Sequence, residues 1–441
     1  SADGSVVHAK LTQYVPWRNR YRFARRCHRM ARYLIWVGVC VGAAAAGQRA
    51  ERCELVLQNS CLAECYPELQ GRPRDGFALE SEVLARQTNC SCEWNLEIAD
   101  LLKPCQVDAN ARVVRVFSPG DGGVSCFRIP AVLRTVKGSL LAFAEARHGG
   151  CGDGLVHEIA LRRSEDHGET WSDVVFVAGD SNHFVSSPYP IAMLSGEIAL
   201  VYSNHSNGHD LGNGNGIIFS SDDGVTWGQP SDISAGFGKA AGGSPGPGAG
   251  VELADSKRLL AVSHRGAYVD DYISYSDDAG KSWTTVVQPF AKMDEATLAD
   301  LGHGNVILNM RHKEETTKGR AVARSSDGGS TWSNITFDKS LIGPVCQGSL
   351  AAFNGSVYFS NPASPSSRSH LTVRRSDDGG LTWPSKLEIQ EGCSAGYSSL
   401  VQGSVGDAEH GGILYESTSP GCIDFATFPL ALGSDPLEVV V

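Results

Sequence analysis

The chain has no long basic run, no apolar stretch of membrane-spanning length, no convincing metal-ligand spacing and little helical periodicity. Each absence removes a class of function. With 38 Lys and Arg against 49 Asp and Glu, the formal net charge is -11, which argues against nucleic acid or an anionic membrane as the main partner. An anionic ligand would need its own local cluster of arginine. The apolar run from Tyr33 to Ala46 falls short of the roughly 20 residues that cross a bilayer. Neither a cofactor nor a metal is expected.

What is present begins with an address. Arg32 precedes that apolar run, which ends in small residues, the anatomy of a secretory signal peptide. Met30 stands just ahead of it, so residues 1–29 read as upstream sequence and 1–47 as a leader. Thirteen cysteines agree with export. Six of them, Cys53, Cys61, Cys65, Cys90, Cys92 and Cys105, mark residues 48–111 as a small disulfide-stapled N-terminal segment. Cys27 and Cys40 fall in the leader, which leaves eleven and therefore an odd thiol. Asn89, Asn204, Asn334 and Asn354 each stand two residues before Ser or Thr as glycosylation acceptors.

The body of the chain is repetitive. "SEDHGETW", "SSDDGVTW", "SDDAGKSW", "SSDGGSTW" and "SDDGGLTW" begin at residues 164, 220, 276, 325 and 376, steps of 56, 56, 49 and 51. A period near 50 is the spacing of propeller blades. Between the boxes lie short strand-like runs such as "GSLLAFAEAR", "GEIALVYSN" and "GNVILNMRHK". Residues 112–441 therefore read as an all-β, six-bladed β-propeller with four strands per blade: five boxed units and an unboxed stretch from about 384 to 437. The box itself reads as a fold-back device. Its Asp can bond nearby backbone, its Gly tolerates positive φ, and its Trp packs between strands.

Function needs residues, since a propeller serves enzymes and docking proteins alike. Arg128 in "CFRIPAV", Arg311 in "NVILNMRHK" and Arg374 in "HLTVRRS" stand at the ends of strand-like runs on separate blades. Each alone reads as a surface arginine. Converging on the central channel, three guanidiniums would grip a planar carboxylate with a geometry lysine cannot copy.

"FRIP" followed by five Asp boxes resembles the exo-sialidases, and "LLAFAEAR", "IALRRS", "FSNPA", "LTVR" and "GYSSL" resemble the animal lysosomal form in particular, over roughly residues 112–420. The resemblance implies an exo-alpha-sialidase that removes terminal sialic acids from glycoproteins, oligosaccharides or gangliosides with retention of configuration. It makes Arg128, Arg311 and Arg374 the arginine triad and Tyr397 in "GYSSL" the nucleophile. Glu295, 16 residues before Arg311, becomes its activating base and Asp153 the acid/base. Arg147 becomes a further pocket arginine, and Glu416 in "LYES" the brace of the first arginine. A neutral phenol suits a substrate whose anomeric carbon carries a carboxylate, because an anionic nucleophile would be repelled. Asp153 must start protonated, so an acidic optimum is expected.

The family likeness also implies sialylated glycoconjugates as substrates, a stabilising protein partner, and lysosomal delivery, although the tail "LGSDPLEVVV" carries no tyrosine-based sorting motif. Cys151 departs from the family pattern; a bond to a cysteine such as Cys126 would pin the Asp153 loop. Two rival readings keep the scaffold: a non-catalytic Asp-box propeller that binds sialoglycans, and a trans-sialidase.

Overall fold

A computed structural model describes residues 111–432, apart from 154–155, 181–183, 206–213, 239–242, 287–289, 314–318, 404–409 and 418, together with four short strands upstream. The chain divides into two compact units, Ser1–Pro104 and Cys105–Val441. In the first, Gly38–Cys40 (β1), Cys53–Leu55 (β2) and Pro73–Arg74 (β3) form an antiparallel sheet in the order β1-β2-β3. The signal-like run apart from Gly38–Cys40, and the side chains of the N-terminal cysteines and Asn89, lie outside the described residues.

The second unit is a ring of six antiparallel sheets. Blade 1 holds Cys126–Arg134 (β6), Leu140–His148 (β7), Val156–Ser164 (β8) and Val175–Ala178 (β9). Blade 2 holds Phe184–Ala192 (β10), Ile198–His205 (β11), Gly214–Ser220 (β12) and Ser231–Asp232 (β13). Blade 3 is broken into shorter pieces: Ser244–Pro245 (β14) and Val251–Glu252 (β15) pair one after the other along one edge of Leu259–Arg265 (β16). Asp270–Ser276 (β17) then pairs both Thr284–Thr285 (β18) and Phe290–Ala291 (β19). Blade 4 holds Asp294–Gly302 (β20), Asn305–Arg311 (β21), Arg320–Ser325 (β22) and Thr336–Asp338 (β23). Blade 5 holds Ser349–Phe353 (β24), Ser356–Pro362 (β25), Ser369–Ser376 (β26) and Ser385–Ser394 (β27), with Gln106–Val107 (β4) along its edge. Blade 6 holds Ser398–Gln402 (β28), His410–Glu416 (β29) and Ile423–Pro429 (β30), and its outer strand is Arg112–Phe117 (β5).

The six-bladed propeller expected from the repeat is what the chain forms, with one difference in how the ring closes. Residues 385–394, assigned from sequence to the sixth blade, are the outer strand of blade 5. The strand that completes blade 6 comes from the other end of the propeller, β5 pairing β30 through Val114↔Phe425 and its neighbours. Pairing of this kind closes the circle with ladder hydrogen bonds and removes an open sheet edge. Innermost strands meet around the axis, β6 against β10, β20 against β24, β24 against β28 and β28 against β6.

The boxes set how blades stack. In each, the Asp is bonded within four residues: in the second, Ser220 Oγ donates to Asp222 at 2.9 Å, and Thr226 donates through its amide at 2.8 Å and its hydroxyl at 2.6 Å. Gly224 has φ 78°, and a Cβ there would sit 2.5 Å from Leu141 of blade 1. Only glycine allows both the turn and that approach. The other box glycines lie in the same way against the preceding blade, at Phe425, Phe219, Leu260 and Ile307. Box tryptophans finish the seam edge-to-face, Trp227 on Phe143 at 5.9 Å and Trp171 on Phe425 at 5.5 Å. The acceptors Asn204, Asn334 and Asn354 are all exposed.

Candidate active site

A cleft of about 600 Å³ opens at the propeller axis, and it is lined by Arg128, Arg147, Arg311, Arg368, Asp153, Glu295 and Tyr397 among others. Local backbone irregularities aim these side chains. In β6 the ladder shifts register between Arg128 and Ala131, and Ile129 adopts φ 56° just before Pro130. In β20 a similar shift follows Asp294, with Glu295 at φ 39°. Bulges of this kind re-aim a side chain out of the alternating pattern, here into the channel.

Glu416, the last residue of β29, ties the first bulge down. Its Oε1 accepts from Arg128 Nε at 3.0 Å and from the Ile129 amide at 3.2 Å, and its Oε2 accepts from the Tyr397 amide at 3.1 Å. A Cβ at position 396 would lie 2.0 Å from that Oε2, so the Gly-Tyr pair in "GYSSL" is a steric requirement. One carboxylate thereby sets both the first arginine and the backbone of the tyrosine.

Tyr397 is 7% exposed and packs with Ile129 and the free thiol of Cys346. Its hydroxyl donates to Glu295 Oε1 and accepts from Arg311 Nη1 at 3.1 Å, while Arg311 also pairs with Glu295 Oε2. Burial first, and the Glu295 charge second, push the phenol well above its ordinary range, with Arg311 opposing them. The phenol therefore holds its proton at neutral pH, already bonded to a carboxylate able to take it. Arg311 and Arg128 are raised above their already high values despite desolvation, chiefly by Glu295 and by Glu416.

Three guanidiniums gather about this ring: Arg311 at the hydroxyl, Arg128 with Cζ 5.5 Å from the ring centroid, and Arg368 at 5.4 Å. The third corrects the sequence reading. Arg374 does not line the cleft; it lies on the third strand of blade 5, 9% exposed, and donates to Asn361 Oδ1 at 3.1 Å. Asn361 in turn donates to the Ile342 carbonyl at 2.8 Å, in the connection between blades 4 and 5. Strand-end position misled here, because a third strand stands away from the axis. Arg368 belongs to the polar turn "SPSSR" that leads from β25 into β26.

Asp153 stands on the lip, its carboxylate 84% exposed, with Oδ1 accepting from Arg147 Nη1 at 2.7 Å and Arg128 Nη1 at 3.2 Å. The loop is pinned by a Cys126–Cys151 disulfide, the pairing that Cys151 suggested. Among the described residues, Cys346 and Cys422 are buried and unbonded. The cleft is also lined by residues the sequence did not single out: Glu145, Ser186, His205, His264, Tyr268 and Asp294. Burial raises the Asp294 carboxyl, and His264 stands 3.7 Å from it as a partly opposing charge.

Comparison with known proteins places the chain by family and by fold. A family model for the BNR repeat-like domain matches residues 138–409. A sialidase of Bacteroides fragilis is 28% identical over 396 residues, covering 79% of this chain and 70% of that protein. A sialidase of Micromonospora viridifaciens is 33% identical over 355 residues, 71% of this chain; the match spans only 53% of that longer protein. Among solved structures, a Hadza microbial sialidase superposes with a TM-score of 0.65 at 25% identity, covering 73% of this chain and 69% of that one.

Proposed function

The chain belongs to the sialidase family, and from that premise we propose that it is an exo-alpha-sialidase acting with retention of configuration through Tyr397. The observation that carries this reading is the buried Tyr397 hydroxyl bonded at once to Glu295 and Arg311.

Arg128, Arg311 and Arg368 hold the sialic acid carboxylate, each by charge-assisted bonds that also fix the anomeric carbon above the phenol. Attack by Tyr397 Oη forms the bond to that carbon as its proton passes to Glu295. The glycosidic C–O bond breaks, and its oxygen takes the proton of Asp153. Water then attacks the tyrosyl-bound sugar, giving its proton to Asp153, while Glu295 returns the first proton to the departing phenolate. Two displacements at one carbon retain configuration. Asp153 must enter protonated, so the rate rises toward acid pH. Exposed glycosylation acceptors support passage along the secretory route, and an acid optimum matches a lysosomal destination.

The test is release of sialic acid from sialyllactose from acid to neutral pH, beside Tyr397→Phe. We expect turnover peaking in acid, and a loss of about a thousand-fold or more in the variant, with proton NMR showing the alpha anomer as first product. A folded wild type without activity would move the reading to a sialoglycan-binding module.

A further inference from the structure

Glu145 lies near the end of β7 with its side chain 3% exposed. Its Oε2 accepts from Arg147 Nε at 2.9 Å and Nη2 at 2.6 Å, and its Oε1 accepts from the Ser187 amide at 2.8 Å. Nε and Nη2, the two donors along one edge of the Arg147 guanidinium, thus converge on a single oxygen. Nη1 faces the lip and holds both the Cys151 carbonyl and Asp153 Oδ1 at 2.7 Å.

A buried ion pair of this kind is a poor device for stability, because well-packed apolar side chains of the same volume often do as well or better. Its geometric effect is specific: two charge-assisted bonds from one edge of the guanidinium meet at one oxygen of a carboxylate whose other oxygen is held by the Ser187 amide, and this fixes that edge and so the place where Nη1 stands. Asp153 needs such a mount. Asp153 pairs with both Arg128 and Arg147 among the described residues, and when the substrate carboxylate claims Arg128 the bond to Arg147 is the one that can stay.

We propose that Glu145 is a positioning residue for the acid/base step, holding Arg147 so that Asp153 stays in reach of the glycosidic oxygen once substrate has displaced it from Arg128. This rests on the reading of Asp153 given above. The same carboxylate fixes the Ser187 amide, at φ 56° in the register shift of β10, so the acid and the blade 2 wall of the cleft share one anchor.

The consequence is selective. A phenol leaving group departs with little help from a proton, whereas the alcohol of a galactoside needs it, and acid assistance is worth about 10²–10⁴-fold. Glu145→Gln should therefore lower kcat/KM on sialyllactose by about 100-fold while changing kcat/KM of a nitrophenyl sialoside less than about 3-fold, because that ratio reports the steps through glycosidic cleavage and leaves out the later base role of Asp153. Arg147 contacts to the sugar itself would be lost equally from both substrates, so the ratio isolates the acid. Should Glu145→Gln fail to fold, the double variant Glu145→Gln, Arg147→Met removes both charges and should show the same selective loss. Equal losses on the two substrates, or none on sialyllactose, would overturn the role of Glu145 and leave the sialidase reading intact. A folded wild type that cleaves neither substrate would overturn both.

Discussion

The turns that carry the boxes and the cleft at the axis are built from the same kinds of residue by opposite means. Each box closes on itself: Asp222 is bonded to Ser220 and Thr226, two and four residues away, and four more copies repeat the arrangement. The cleft occurs once, and its bonds span great lengths of chain. Tyr397 reaches Glu295 across 102 residues, and Glu416 reaches Arg128 across 288. Repetition makes the box tolerant of its neighbours; the cleft works only if four different blades are in register.

Damage should therefore sort by region. The largest effect expected is on the fold, from Trp283→Ala. This box side chain is 7% exposed, packs on Phe237 at 5.2 Å and donates to the Gly280 carbonyl at 3.0 Å. Its loss should cost about 3–5 kcal/mol in denaturant unfolding with kcat per folded molecule unchanged. A fall in kcat while the fold is intact would break the separation. Next come the two arginines of the fifth blade. Arg368→Ala should reduce kcat/KM about 10- to 100-fold, the range of a lost charge-assisted bond. Arg374→Ala should alter melting and leave kcat/KM within a few-fold; the reverse result would restore Arg374 to the site.

Legibility followed the same division. All five boxes, the blade count and the β class could be read because their signals sit within eight residues and recur. Arg128, Arg147, Arg311, Glu295, Asp153 and Tyr397, singled out in the sequence, line the cleft, and Glu416 braces it. Arg368 was missed because nothing local distinguishes a loop arginine that turns to the axis from one that faces solvent. The closing strand "RVVRVF" was read as part of the propeller, but its partner lies some three hundred residues on, and pairing at that distance leaves no mark on a short window.

The smallest expected effect concerns acid. Hydrogen bonds, first from the Thr226 side chain, hold the Asp222 carboxyl at about 2 against an ordinary 3.8, and the Ser282 side chain does the same for Asp278. A depressed pKa stabilises the fold above the ordinary value, and that contribution is lost as pH falls from about 4 toward about 2. These groups are solvated, so the effect is small and screened. Melting curves over that window should fall slightly less steeply for Thr226→Val than for wild type, and identical slopes would show that the boxes hold by packing alone.

Closure of blade 6 by β5 also has a meaning in time. Arg115 and Asp424, which pair across that seam, are 309 residues apart, and at about 5–20 residues per second the ribosome takes roughly 15–60 seconds to travel between them. The strand that seals the ring is made first and waits for its partner until the end. Glu416, which sets both Arg128 and Tyr397, arrives in that same final stretch. A nascent chain that stops short of Glu416 therefore lacks the carboxylate that sets Arg128 and Tyr397, and the site cannot be complete before that residue is made.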